Sequence, residues 1–257
     1  MRINGTSVLV TGASGGLGSV MARELSARGA NLVLSARRVS LLDQLAAEID
    51  AEVAVADLTD RADVERLAAR AATCDVLVAN AGTGGDPPLE ELAESDIDFA
   101  IDVNLRAPIV LAHAFAKAKI AAAKPGAIVL VGSLAGLAAS PGTRLYNATK
   151  FGLRGFALSF AQELAGTGVT CTHVAPGFIR DAGMFHDGGV ELPPGVRTKS
   201  PDDVAAAVVK AIEKGPGEIF VSPAELRAAT TFATIAPGIS AAIQRRLGVA
   251  ERRTDQL

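Results

Sequence analysis

Short runs of β-branched and aliphatic residues alternate along this chain with alanine-rich stretches of helical period. The apolar runs near 7–11, 31–35, 52–56, 75–79, 126–132, 169–175 and 217–221 predict strands, with helices between most of them. Because these runs are apolar throughout rather than alternating, both faces of each strand are expected to be covered, and intervening helices supply parallel crossovers. The pattern predicts a doubly wound α/β fold with a parallel sheet of about seven strands and helices on both faces. It occupies one domain over residues 1–223.

Two segments break the rhythm. Between 178 and 200, glycines and prolines interrupt any helix, which reads as a lid over a substrate. Ser200-Pro201-Asp202-Asp203 then provides an N-cap and a proline at the first helical position, predicting a helix to about Lys214. Residues 224–257 read as an appended helical tail ending in Arg245, Arg246, Arg252 and Arg253, which suits solvated charge, a subunit contact or peripheral membrane attachment.

Composition narrows the function. With 257 residues, 49% of them apolar, the chain buries a full core; a net charge of −3 and the lack of a long basic run give no footprint for nucleic acid. Small molecules are the expected partners. The first apolar run begins at Ser7, leaving no room for a leader, and no apolar stretch approaches the ~18 residues of a bilayer span, so a cytoplasmic location is expected. Cys74 and Cys171 fall at the starts of buried strands and read as small apolar side chains; no metal site is expected.

In a doubly wound sheet, ligands bind outside the carboxyl ends of the strands. The distinctive residues cluster there: Thr11-Gly12, Arg37, Asp57, Asn80, Ser133 and Pro176-Gly177. The turn from Thr11 to Gly18, containing Gly12, Ser14, Gly16, Leu17 and Gly18, lies between a strand and a helix and suits a dinucleotide pyrophosphate held at a helix N-terminus. Gly15 leaves two glycine spacings open, T-G-x-x-x-G-x-G and G-x-x-G-x-x-G. After the second strand, Ser35-Ala36-Arg37-Arg38 offers guanidinium groups instead of the acid that suits NAD, which favours NADPH, with Arg37 on the 2′-phosphate and Arg38 as a solvated helix-start charge.

Tyr146 is the one tyrosine in the chain, and Lys150 follows it at the i+4 position of a helix. An ammonium ~4 Å from the phenol supplies ~4 kcal/mol at an effective dielectric near 20, enough to bring the phenol toward neutral pH as an acid-base catalyst. Ser133 stands thirteen residues earlier, where a hydroxyl can steady charge on a substrate oxygen. His113 and His173 fall in a helix and a strand and read as structural, whereas His186 lies in the lid.

With these motifs in view, the chain resembles the short-chain dehydrogenase/reductase family from about Ser7 to Gly177. Thr11 to Gly18 matches T-G-x-x-x-G-x-G, Ala79-Asn80-Ala81-Gly82 matches N-N-A-G with its first asparagine replaced, and Asn104, Ser133, Tyr146 and Lys150 match the catalytic tetrad. The resemblance implies a Rossmann-type domain, Asp57 and Leu58 at the adenine, Asn80, Ala81 and Gly82 beside the cofactor, and Pro176, Gly177 and Ile179 along the nicotinamide. It also implies that Asn104 holds a water linking Lys150 to solvent, and that the assembly is a homodimer or homotetramer. Asp181 stands where members often carry a threonine that holds the carboxamide.

The expected activity is hydride transfer between NADP(H) and the carbonyl or alcohol of an apolar small molecule: a ketone, a sterol-like ring or a 3-oxoacyl thioester. Leu134, Leu137, Phe178, Met184 and Phe185 would supply the apolar wall. Two alternatives remain. Sugar-nucleotide epimerases and dehydratases use a similar turn and Tyr/Lys pair but carry an extra substrate domain, and a dinucleotide sensor does not need the whole tetrad.

Overall fold

The computed structural model describes residues 1–182 and 197–246. The expectations for Met184, Phe185, His186, most of the lid and the chain end from residue 247 lie outside the described residues. Strands β1 (Ser7–Thr11), β2 (Asn31–Ser35), β3 (Glu52–Val53), β4 (Val76–Ala79), β5 (Gly126–Val131), β6 (Val169–Pro176) and β7 (Glu218–Val221) form one sheet in the order β3-β2-β1-β4-β5-β6-β7. All neighbouring pairs are parallel. The order reverses between β1 and β4, so a crevice opens there at the carboxyl ends.

Each strand feeds both cores by simple alternation. Val8, Val10, Val76, Val78, Val129 and Val131 pack on α1 (Gly16–Ala27), α2 (Val39–Ile49) and the helix we label α7 (Pro201–Lys214). Leu9, Leu77, Ile128 and Leu130 point the other way, toward α3 (Arg61–Thr73), α5 (Ala107–Ala121) and α6 (Arg144–Glu163). This double coverage explains why the strand sequences are apolar at every position. The exception is β3, only two residues long at the sheet edge, where one neighbour suffices; its hydrogen bonding to β2 continues irregularly through Ala54 and Ala56.

Local chemistry sets the element ends. Ser200 Oγ accepts from Asp203 N, Asp203 answers at Ser200 N, Pro201 opens α7, and Gly215 closes it at φ 59°. Helix α4 (Glu94–Ile101) runs through a π-turn at Asp102–Arg106 into α5. The joined helix Glu94–Ala121 has 28 residues and is long and apolar enough to cross a membrane by composition alone, which a reading of separate apolar runs overlooks. Half of its apolar window is buried in the protein, and it packs on α3 as a core helix.

The tail forms α8 (Ala224–Ile235) and α9 (Pro237–Arg246). Leu226 of α8 joins Leu134, Leu137, Ala175 and Phe220 in a small core, and Thr234 Oγ1 donates to the Leu137 carbonyl at 3.0 Å. Where the chain leaves β6 and returns to α7, Ile179 pairs with Lys199, and Arg180 N and Lys199 N donate across the gap.

Phe115 is fully buried, and a β-carbon on Gly126 would lie 2.8 Å from its ring. Phe115→Ala is expected to cost ~3–5 kcal/mol and Gly126→Ala ~1–3 kcal/mol. The double variant should cost less than the sum, because the added methyl enters the vacated space. Urea unfolding of the three variants measures this coupling, and strict additivity would contradict the contact.

Candidate active site

The glycine turn is shaped by close approaches. Gly12 has φ +67°, and a β-carbon there would sit 2.7 Å from Ala81 Cα. A β-carbon on Gly18 would collide with the Gly12 carbonyl. A β-carbon on Gly15 would also lie a tight 3.3 Å from the Gly12 carbonyl oxygen, so Gly12, Gly15 and Gly18 are all crowded at this turn. Ser14, Gly16 and Leu17 remain partly open to solvent at the start of α1, where unpaired backbone N–H groups favour an anion.

Strand β4 is locked to this turn. Thr11 Oγ1 accepts from Asn80 N and Ala81 N, both at 3.1 Å, and Asn80 Nδ2 donates to the carbonyls of Thr11 and Gly12 at 3.1 and 3.3 Å. At Gly82, any β-carbon would press on Asn104 Oδ1 and Lys150 Nζ. This region fits a dinucleotide: a cradle that only glycine leaves open, a helix N-terminus, and cations at the next strand end.

Of those cations, Arg37 is exposed, 3.9 Å from Asp57 Oδ2 and over the Phe99 ring at 5.6 Å. Arg38 is an exposed charge at the N-cap of α2 that also reaches back to the turn. Its guanidinium donates to the Ser14 carbonyl at 2.6 Å and to Ser14 Oγ at 3.3 Å, so it borders the glycine turn. The partner is 24 residues away, and only the β1–β2 register brings the two together. Asp57 accepts from Thr59 N and Oγ1, while Leu58 is buried in the core formed with α3.

Ser133 after β5 and Tyr146 and Lys150 of α6 come together, with Asn104 of the π-turn close to Lys150 across Gly82. Tyr146 and Lys150 share one face of α6, with Lys150 Nζ 5.6 Å from the phenol ring centroid. The Ser133 hydroxyl lies near the Tyr146 phenol, where it favours the ionised form. Ser133 Oγ also accepts from Ala135 N at 3.1 Å, capping a 3₁₀ turn at Leu134–Gly136. Asn104 sits within the π-turn, a helix irregularity frequent at functional sites, and is buried. Its amide holds Thr83: Oδ1 accepts from Thr83 N and Nδ2 donates to Thr83 O, each at 2.8 Å, with a further donation to Thr149 Oγ1 at 3.3 Å. Both amide hydrogens are engaged, so any water at Asn104 must donate to an oxygen.

The electrostatics are not those of a bare Tyr/Lys pair. Lys150 is 3% exposed and donates to the Val131 carbonyl at 3.2 Å; burial pulls its ammonium down to about 8. Burial also pushes the Tyr146 phenol up, with the nearby Ser133 hydroxyl opposing it. The desolvation of both groups therefore outweighs the lowering anticipated from their spacing.

Asp86 is a positioning residue that sequence reasoning missed. Its buried carboxylate accepts from Leu145 N at 2.7 Å and Tyr146 N at 3.4 Å, capping α6 directly beneath the phenol. Asn147 braces the same end, donating to Ala135 O and Ala138 O and accepting from Ser140 N and Thr143 Oγ1. A cavity of about 180 Å³ beside Tyr146 is lined by Thr83, Asp86, Phe99, Asn104 and Leu145, among others.

Pro176 closes β6 and Gly177 and Ile179 follow it, with Gly177 N donating to Val221 O. Leu134 and Leu137 do not form an open apolar wall; both are buried beneath Leu226 and Phe220. Asp181 adopts φ +67° and pairs with Arg180. A β-branched threonine is strained in that conformation. His173 is fully buried, with Nδ1 3.0 Å from Glu218 Oε1, and Glu218 also receives Arg154; the group is structural, as its strand position suggested. The Cys74 and Cys171 thiols are buried, and burial pushes Cys171 up to about 12.

The buried ammonium makes a testable contribution. From about pH 8 to 10.5 the unfolded chain binds a proton at this lysine that the folded chain has lost, so Lys150's contribution to stability rises with pH across that window. The stability of Lys150→Met relative to the wild type should therefore be greatest below pH 8 and fall by ~3 kcal/mol toward pH 10.5. Urea unfolding without cofactor at a series of pH values follows this difference; a constant value would contradict the desolvation of the ammonium.

Comparison with known proteins agrees with this geometry. The family described as short chain dehydrogenase matches residues 6–189. The 3-oxoacyl-[acyl-carrier-protein] reductase FabG of Rickettsia conorii is 34% identical over 180 residues, covering 69% of this chain and 74% of that protein. Among solved structures, a short-chain dehydrogenase from Sphingobium yanoikuyae in complex with NADPH superposes with a TM-score of 0.79 at 26% identity, covering 92% of this chain and 95% of that one. The bulky-bulky ketone specific alcohol dehydrogenase from Comamonas testosteroni gives a TM-score of 0.75 at 26% identity, covering 93% and 94%. A glycine cradle at β1, a tyrosine and lysine on one face of α6 and a family match across most of the chain identify this protein as a member of the short-chain dehydrogenase/reductase family of oxidoreductases.

Proposed function

We propose that this protein is an NADPH-dependent reductase that converts the carbonyl of an apolar small molecule to an alcohol, with the reverse oxidation at the same site. One observation carries the reading: Tyr146 and Lys150 share one face of α6 beside Ser133 at the rim where the glycine turn opens, with Lys150 Nζ 5.6 Å from the phenol ring centroid. The FabG and ketone-specific alcohol dehydrogenase relatives support carbonyl chemistry.

A bound nicotinamide supplies the hydride. The chain's own residues do the remainder. Gly12 and Gly18 leave room for the pyrophosphate, Ser14, Gly16 and Leu17 border it, and Asp57, Leu58, Asn80, Ala81 and Gly82 flank the adenine and ribose side of the crevice. Arg37 faces solvent beside Asp57, where a 2′-phosphate is met by its guanidinium; Arg38, already bound to Ser14, stiffens the turn. Pro176, Gly177 and Ile179 border the nicotinamide end.

Tyr146 gives its proton to the substrate oxygen, and Ser133 donates to the same oxygen as charge develops there. Lys150 stabilises the phenolate left behind. An ammonium about 6 Å away at an effective dielectric near 20 contributes ~3 kcal/mol, and the positive charge of oxidised nicotinamide adds to it. Asn104 holds Thr83 and the π-turn in place and offers an oxygen to a water that returns protons through Lys150. Asp86 fixes the height of Tyr146 by capping α6.

Purified protein should reduce aliphatic, aromatic, steroid or 3-oxoacyl carbonyls with NADPH. Tyr146→Phe should lower kcat/KM by at least ~100-fold while leaving the NADPH Kd unchanged. Tight NADPH binding by the parent with no turnover of any of these carbonyls would point to a dinucleotide sensor instead. In a parallel measurement, Arg37→Ala should weaken NADPH by roughly tenfold or more and leave NADH affinity nearly unaltered. Equal loss for both cofactors would place the phosphate elsewhere.

A further inference from the structure

The α8–α9 pair presents a surface that the active site does not explain. From Ala228 to Ile243 the sequence carries no charged side chain, yet Phe232, Ile235, Ile239 and Ile243 are all exposed, Ile235 at 79% and Ile239 at 58%. An outer helix face in a water-surrounded domain ordinarily bears charge. Here the corner Ile235-Ala236-Pro237-Gly238-Ile239 bears none, and the contacts of α9 run mainly to α8 rather than to the sheet. Beneath the corner, a cavity of about 610 Å³ between α8 and β7 is bordered by Phe220, Arg227, Phe232 and Ile235.

The charges that bracket the apolar stretch have one sign. Arg227 precedes it, and Arg245 and Arg246 follow it, all exposed. The acid at the start of α8, Glu225, is held by Arg197 at 2.7 Å and does not balance them. A second copy of this surface would bring arginines toward arginines with no free acid on either α8–α9 pair to receive them. An anionic phospholipid surface accommodates both features, taking apolar side chains into the acyl boundary and guanidinium groups onto phosphate.

We propose that α8–α9 docks this protein on anionic phospholipid membranes. Ile235 and Ile239 enter the headgroup boundary, while Arg227, Arg245 and Arg246 lie against lipid phosphates. The docked element reaches the site directly, since Leu226 covers Leu134 and Thr234 holds the Leu137 carbonyl one turn beyond Ser133.

The test is co-sedimentation of the purified full chain with phosphatidylcholine vesicles, with and without phosphatidylserine. Binding should be at least tenfold stronger with phosphatidylserine, weaken with salt, and fall about fivefold for each of Arg245 and Arg246 changed to Ala. Ile235→Glu/Ile239→Glu should abolish binding while thermal unfolding stays unchanged, showing that the fold is intact. The proposal is overturned if the parent remains in the supernatant with both vesicle types or if the double glutamate variant still binds. It is equally overturned if the parent ignores vesicles and sediments as a dimer that the same variant splits. None of these readings depends on turnover, so they stand apart from the proposed reductase activity.

Discussion

A positive charge held almost without water at the carboxyl end of β5 is the constraint around which the site is arranged. Lys150 meets one carbonyl, that of Val131, and otherwise lies among Gly82, Asn104 and the phenol ring. Removing an ammonium from water is unfavourable unless something replaces the lost hydration. The surrounding structure must therefore be rigid and exact in register: Asn104 fixes Thr83, Thr11 fixes Asn80 and Ala81, and glycine at 82 leaves the space. A ligand bringing negative charge or hydroxyl groups into this crevice relieves that desolvation, which ties cofactor affinity to the chemistry of the same lysine.

The elements that hold this arrangement come from distant parts of the chain. Asp86 from the β4–α4 connection caps α6, Arg38 from the β2–α2 connection binds Ser14, and Thr234 from the tail binds Leu137. Each is a polar contact between a strand-end loop and a neighbour supplied by the parallel topology. Rigidity at the site thus arises from the sheet order as much as from the residues of the motif.

This division also explains what was legible in the amino-acid sequence. The strands, the α7 cap at Ser200 and the convergence of Gly12, Ser133, Tyr146 and Lys150 on one rim depend on local pattern or on alternation along the chain, and they are readable. The shortness of β3 follows from its place at the sheet edge, which the apolar run at 52–56 does not reveal. Arg38 and Asp86 depend on partners 24 and 59 residues away, so nothing in their immediate surroundings distinguishes them from solvated charges. The separation of Tyr146 from Lys150 was readable as a shared helix face, but the burial that opposes ionisation was not, because it depends on β5 and the 3₁₀ turn closing over both. Leu134 and Leu137 similarly follow the serine in sequence while the fold hands them to α8.

The pairing of Ile179 with Lys199 joins the two ends of the segment that leaves β6 and returns to α7. With those ends paired, the entropy of closing the chain between them grows only with the logarithm of its length, and doubling it adds ~0.6 kcal/mol. Natural variation can therefore lengthen or shorten that stretch of sequence while the strand ends keep their register. A scaffold of this kind can diversify what it accepts without having to rediscover how it reacts.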